Sequence, residues 1–359
     1  MIGKPQATSP VHRRTRLLHR PSLASIRRDT RHSRPWRSTP ILASPSGARR
    51  LLLAVLAGAI ALVLMDTAVQ AAAGPVPRPA GPSLEQYLGR WNYDQPNRDS
   101  MRNVAVIQCP ANDTSCAGPA PSGGPLLVPQ VGDIVFAKDA DGGVVGRTDQ
   151  GCTWHFAVHP ASLELAPPSQ YCFNQVIGSG YTLTRWSVTV RGSHEREAIT
   201  AMSHQPNVDY DFILNNGSRT RVAEQGSPGV LRGFAGTWLY APADPQTLVN
   251  IMISRETGPD GTQVRPFPQT GIVGFTTGRD GIVVAHTGDG CRWTLVVRGN
   301  TAQLAPASQS CSLPGSTVTL THWAIASDGM RQASVLAGVA ESGARASNFL
   351  LNVGELFKQ

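Results

Sequence analysis

The residues of this chain best placed to do chemistry are its six cysteines. Cys152 and Cys172 are 20 positions apart, and so are Cys291 and Cys311. The stretches they bound are two versions of one text: GCTWHFAVHPASLELAPPSQYC from Gly151 to Cys172, and GCRWTLVVRGNTAQLAPASQSC from Gly290 to Cys311. Each puts Trp two residues after the first Cys and ends in L-A-P-x-S-Q-x-C. The chemistry this spacing offers is oxidation. If each stretch folds as a hairpin, its two thiols meet, and a bridge over about 20 residues stabilises by roughly 3 kcal/mol. Cys109 and Cys116 occur in the first copy alone, in the loop CPANDTSC, where pairing with each other is the simplest arrangement. The alternative is buried free thiols. An oxidising compartment favours bridges.

Catalysis needs polar groups that converge, and none is legible. The histidines beyond residue 72 are His155, His159, His194, His204, His286 and His322. None has a metal-type i, i+4 partner on a helix, since His155 and His159, four apart, fall on an alternating strand and its turn, and none has a Cys/His spacing of the metal-binding kind. Ser193-His194-Glu195 lies in a turn, RGSHERE, and reads as an exposed histidine rather than a base. His155 and Glu164 would face each other across the first hairpin as a cross-strand ion pair. Their counterparts, Thr294 and Gln303, could not repeat it. Asp209-Tyr210-Asp211 has no counterpart in the second copy, and DADGGVVG lacks the Lys-Ser/Thr of a phosphate loop. We therefore expect no catalytic residue, no metal, no cofactor and a non-enzymatic protein.

The elements that position the cysteines follow from periodicity. Cys152, Trp154, Phe156 and Val158 alternate with Thr153, His155 and Ala157, and the second copy repeats the pattern with Cys291, Trp293, Leu295 and Val297. Period two puts one set on one face of a strand. Turns follow at His159–Ser162 and Gly299–Thr301. Other landmarks recur in order. Gly89-Arg90-Trp91 matches Gly236-Thr237-Trp238. Val104 to Ile107 matches Leu248 to Ile253 as a second strand, and Asp133 to Ala137 matches Gly271 to Thr276. YTLTRWSVTV matches STVTLTHWAI, with Trp186 and Trp323 in register. The result is eight or nine short strands per copy, and no long segment of helical period. An all-β meander of this size must close into a barrel or stack as a sandwich to hide its edges. The expected fold class is all-β, with two tandem antiparallel meander barrels over residues 83–219 and 231–359, joined by a linker at 220–230.

What precedes them differs in composition. Residues 1–72 hold 12 of the 32 Lys and Arg but only Asp29 and Asp66 among the acids, leaving 20 basic against 22 acidic residues. The formal charge of +8 therefore belongs to a leader and not to a nucleic-acid surface. Residues 1–50 are basic and rich in Ser and Pro, with no fold expected. Arg49-Arg50, the apolar run Leu51–Met65 and the small residues up to Ala73 have the layout of a secretory signal. The run is short for a membrane span; left uncleaved, it is the one membrane contact we expect. Residues 74–82 are a Pro/Gly linker. The expected location is secreted or otherwise extracytoplasmic.

Gly-x-Trp on a first strand, followed by an antiparallel meander, resembles the lipocalin and calycin group, barrels that also include the avidin kind. The match is Gly89-Arg90-Trp91 and Gly236-Thr237-Trp238. The resemblance implies an eight-stranded barrel with that Trp under its closed end. The chain departs from the family in lacking a T-D-Y motif before an Arg. The pattern is also similar to secreted β repeats of bacteria. A barrel of eight strands holds its own side chains or one small ligand, so one function class is carriage of a small apolar or aromatic ligand. Trp186 and Trp323 are the candidates to touch it, because they share a strand face with Thr184 and Thr321. The competing class is an interaction or inhibitor module presenting stapled loops around Gln170, Gln309 and CPANDTSC to a protein. An internal cavity of several hundred Å³ favours the first, and filled cores favour the second.

Overall fold

A computed structural model describes residues 83–223, 228–258 and 261–359. The leader, the apolar run Leu51–Met65 and the 74–82 linker lie outside the described residues. The first repeat contains β1 (Gly89–Tyr93), β2 (Val104–Gln108), β3 (Leu126–Pro129), β4 (Asp133–Lys138), β5 (Val144–Thr148) and β6 (Thr153–Val158). It continues with β7 (Leu163–Leu165), β8 (Gln170–Asn174), β9 (Ser179–Arg191), β10 (His194–His204) and β11 (Asp209–Arg221). The second contains β12 (Gly236–Tyr240), β13 (Ile251–Gly258), β14 (Gly261–Pro268), β15 (Ile272–Thr277), β16 (Ile282–Thr287) and β17 (Arg292–Arg298). Then come β18 (Thr301–Leu304), β19 (Gln309–Leu313), β20 (Ser316–Ser327), β21 (Arg331–Ser342) and β22 (Arg345–Lys358).

In each repeat eight strands close a ring. In the first the order is β1-β4-β5-β6-β7-β9-β10-β11, and β11 pairs back to β1. In the second it is β12-β15-β16-β17-β18-β20-β21-β22, closed by β12 with β22. Full closure leaves the ring no free edge. The two barrels are all-β and antiparallel, as the periodicity indicates. The path is not a plain meander, however. β2 is not the second strand of the ring; β1 pairs directly with β4, and the β2–β3 hairpin hangs on the far half of the long strand β11. An asparagine amide fills the seam where β1 and β2 part along β11. Asn103 Nδ2 donates to Asp94 O and Ser218 O, and its Oδ1 accepts from Ser218 N. Asn250 does the same with Ala241, Glu355 O and Glu355 N. Both sit at positive φ, a conformation asparagine tolerates better than most residues.

The stapled unit is also more than a hairpin. β7 pairs with β6, but the chain breaks at Pro167, which has no N–H to give a ladder, and β8 moves over to β9. Gln170 covers the gap: His155 N donates to its Oε1 at 2.9 Å, and its Nε2 donates to His155 O at 2.8 Å. Gln309 makes the same pair of bonds to Thr294, at 2.8 and 2.7 Å. One amide side chain thus completes a ladder rung, which is what the Gln of L-A-P-x-S-Q-x-C is for.

Trp91 and Trp238 are fully buried, each at the barrel end where a short helix precedes the first strand. Their Nε1 atoms donate to Tyr87 O at 2.8 Å and Phe234 O at 2.7 Å. A base from the last strand lies over each ring, the Arg221 guanidinium 4.5 Å and the Lys358 ammonium 5.5 Å from it. The stretch expected to be linker, 220–230, begins inside β11, so Arg221 belongs to barrel 1 with Arg219.

The barrels pack on each other. Ala324 and Ala326 of β20, with Ala333 and Val335 of β21, face out of barrel 2 and form one buried cluster with Val131 of barrel 1, against which Val176 packs. The aligned residues of barrel 1, Ser187, Thr189, Arg196 and Ala198, have no such cover; Thr189 and Arg196 are exposed. Asn300 Nδ2 donates to Tyr93 O at 2.8 Å, and Arg98 pairs with Glu355 at 2.8 Å.

Candidate functional site

β10 and β11 put three charged side chains inside barrel 1. Glu195 and Glu197 alternate inward on β10, and Arg219 reaches in from β11; all are buried. At the aligned positions barrel 2 has Gln332, Ser334 and Leu356. The Arg219 guanidinium carbon lies 3.9 Å from the centre of the Tyr93 ring and 5.6 Å from that of Trp186. Its Nη2 is 3.1 Å from Glu197 Oε1, with the N–H off the line of a hydrogen bond, and its Nε is 3.8 Å from Glu195 Oε1. Trp186 Nε1 donates to Glu197 Oε2 at 2.9 Å. Among the described residues, Arg219 Nε and Nη1 have no hydrogen-bond partner, and neither oxygen of Glu195 accepts from a donor; a proton on Glu195 can be given to neighbouring Glu197.

Burial disfavours every charge in this cluster, and the neighbours decide which survive. For Arg219 the desolvation is outweighed by Glu197, Tyr93 and Glu195, so the guanidinium is held charged above its ordinary value. For Glu195 burial is the largest effect, and with Glu197 alongside it pushes the carboxyl up to about 8 despite Arg219. At neutral pH the cluster then sets a charged Arg219 guanidinium, 3.1 Å from Glu197, beside a protonated Glu195. Burial also raises the Tyr93 hydroxyl well above its usual value, which keeps that ring neutral.

Arg219, Tyr93 and Trp186 line a cavity of about 110 Å³ that extends toward the barrel end opposite Trp91. Trp154, Tyr181 and Phe212 add ring surface, and Asp149 sits on its wall. The Asp149 carboxyl is pushed up to about 7 by burial and by Asp133, while Gln303 of barrel 2 donates to it at 3.1 Å. Glu195 is not on the cavity wall, so its proton faces no space a reactant could fill. The arrangement can hold a small molecule by ring contact and one hydrogen-bond acceptor. The interior of barrel 2 gathers Trp293, Trp323, Leu295, Leu304, Ile325 and Leu356 in one apolar cluster.

The residues singled out from sequence are sorted by a β-bulge. Thr184 is an extra residue between Leu183 and Arg185, and Thr321 between Leu320 and His322. A bulge shifts the face of everything after it. Trp186 therefore points into barrel 1 and lines the cavity, while Thr184 faces solvent, donating to Thr200 O at 3.2 Å. Trp323 packs inside barrel 2, and Thr321 lies outside it, donating to Ala337 O at 3.4 Å. The shared Trp/Thr face does not exist. His155 does not meet Glu164 either: its Nδ1 is 3.2 Å from Asp139, and Glu164 accepts from Ser162 and Ser187. Arg219, Glu195 and Glu197 went unnoticed, although the loss of alternating charge in the second copy was a readable signal. No group of three or more His, Cys, Asp or Glu side chains suited to a metal occurs among the described residues.

All six cysteines are paired, 109 with 116, 152 with 172 and 291 with 311, with Cα separations of 5.6, 5.8 and 5.8 Å. Three bridges place the folded units in an oxidising, extracytoplasmic compartment.

No protein-family model matches the chain, and no curated protein does. Among solved structures it is similar to a putative outer membrane protein of Bacteroides fragilis, at 10% identity over 77% of this chain and 98% of that one, with a TM-score of 0.22. It is similar as well to a protein of unknown function from the DUF3598 family of Nostoc punctiforme, at 10% identity over 76% and 97%, with a TM-score of 0.21. Likeness at that level says nothing about activity.

Proposed function

We propose that the protein is a non-enzymatic extracytoplasmic binding protein that carries a small aromatic ligand in barrel 1, with barrel 2 as the wall packed beside the cavity end. The observation that carries this is the asymmetry of two otherwise matched interiors: barrel 2 has uncharged Gln332, Ser334 and Leu356 where barrel 1 sets Glu195, Glu197 and Arg219, and Arg219 lies on a cavity shared with Trp154, Trp186 and Tyr93. Its size bounds the ligand. A cavity of roughly 150 Å³ accepts benzene, so about 110 Å³ suits a single small ring. Arg219 would donate to an acceptor atom on that ring. The lipocalin-like reading of the Gly-x-Trp strands, and export through the leader, belong to the same proposal.

Native mass spectrometry of the protein from its own host, together with quenching of tryptophan emission by phenol, tests it. We expect a bound small molecule, or saturable quenching that Arg219→Leu abolishes. Neither in wild type would leave the second reading, a stapled interaction module. That reading is favoured by Tyr171 and Phe173, which flank Cys172 on β8 and are 64% and 47% exposed.

A further inference from the structure

A second space lies outside both barrels. Where the outer wall of barrel 1 meets β17, β18 and β20, a cleft of about 480 Å³ opens. Small-molecule sites are commonly of this size and commonly lie at domain interfaces. Arg90 of β1 and Arg147 of β5 enter it from barrel 1, and Arg298 of β17 enters from barrel 2. Arg90 is paired with Asp133. Among the described residues neither Arg147 nor Arg298 has a carboxylate within 4.0 Å. His322 of β20 lies on the same wall with its side chain only 9% exposed, and its Nε2 has no hydrogen-bond partner among the described residues. The nearest carboxyl, that of Asp149, is 3.9 Å from that nitrogen and already accepts from Gln303.

We propose that this cleft binds a small organic molecule bearing an oxyanion, held by Arg147, Arg298 and His322. Two free guanidinium forks suit the planar oxygens of a carboxylate or phosphate. A buried imidazole nitrogen without a partner is costly unless something fills it. The charge balance agrees. Three guanidinium groups face two carboxyls, and burial with Asp133 close by holds the Asp149 carboxyl partly protonated near neutral pH. None of these bases is a feature of the repeat: Arg90, Arg147 and Arg298 align with Thr237, His286 and His159. Each copy supplies different ones, and only docking of the barrels brings them together.

Calorimetric titration of the full chain with citrate, inorganic phosphate and uncharged glycerol tests this. We expect saturable binding of citrate or phosphate and none of glycerol, and the stronger of the two anions identifies the preferred oxyanion. Arg147→Ala with Arg298→Ala should weaken that binding at least tenfold, and Arg147→Ala alone, at an exposed position, should weaken it several-fold. Arg345→Ala removes a charge outside the cleft and should leave it unchanged. Absence of saturable binding by either anion, or equal affinity in the double variant, overturns the proposal. Both results are independent of what barrel 1 carries.

Discussion

Glu195→Gln should make barrel 1 more stable than wild type in alkaline solution and leave it nearly unchanged in acid. The Glu195 carboxyl is buried, accepts from no donor among the described residues and is pushed from 4.5 up to about 8, chiefly by desolvation. Its folded value lies above its unfolded one. Between about 4.5 and 8 the folded state therefore keeps a proton that the unfolded chain has released. Stability falls as pH rises through that window and levels off above it. Each unit is worth about 1.36 kcal/mol, so the full descent is on the order of 3–5 kcal/mol. Glutamine has nearly the same shape, carries no charge and lacks that descent. Asp149, raised by burial and by Asp133 to about 7, and His322, lowered by burial to about 4, titrate in both proteins and cancel in the difference. Urea unfolding followed by tryptophan emission at pH 5, 7 and 9 measures it. We expect superimposable curves at pH 5 and a gain of a few kcal/mol for Glu195→Gln at pH 9. If Glu195 were instead an ionised partner of Arg219, 3.8 Å away, the variant would be the weaker protein at pH 9. Parallel pH profiles, or that inversion, would refute the assignment of a neutral carboxyl.

Three further outcomes follow from the packing. Gln309→Ala should cost about 1–2 kcal/mol and Gln170→Ala less, because the rung at Thr294 is half-buried while that at His155 is open to water; urea midpoints of the two variants decide the order. Replacing Cys291 and Cys311 by Ser should cost roughly 3 kcal/mol in barrel 2, the value for a loop of about 20 residues, read as a fall in its thermal midpoint. Ala326→Lys places an ammonium in the apolar contact between barrels, at a cost of several kcal/mol to docking. Small-angle scattering should show a larger radius of gyration, while the far-ultraviolet spectrum of the separated barrels stays intact.

Much of this fold was legible because β structure writes itself at short range. Cys152–Val158 and Cys291–Val297 alternate strictly, and their inward and outward sets are those of β6 and β17. The bridges were readable from spacing. What failed did so where one residue breaks the period. Thr184 and Thr321 look like members of the Trp face until the partner strand is known, because a bulge is a property of two strands and a sequence displays one. The detached β2–β3 hairpin was hidden for a related reason: its partner, the far half of β11, is about 100 residues away. Arg219 stands next to the expected linker at 220–230, amid Gly and Ser, and nothing local marks it as the inward end of a long strand. The interface had a signal that was not used. WAIAS and ASVLAGVA are apolar at both parities, which is the mark of a strand buried on both faces.

The two copies show which residues the barrel itself requires and which serve something else. Shared by both are the Trp under the closed end, the Asn at the β11 or β22 seam, the Gln that completes the broken ladder and the 20-residue bridge. These hold a closed ring together. The differences are directional. Barrel 1 carries Glu195, Glu197 and Arg219 within and is polar outside, while barrel 2 has uncharged Gln332, Ser334 and Leu356 at the aligned inner positions and is lined with alanine where it meets barrel 1. Selection for stability alone would push both interiors toward packed apolar side chains, since a buried ion pair is often weaker than the hydrophobic residues that could replace it. Barrel 2 shows that this fold accepts that solution, with Leu356 where barrel 1 has Arg219. A buried Arg219–Glu197 pair beside a protonated Glu195 is thus a cost that the architecture does not impose, and binding inside barrel 1 is what would keep it there.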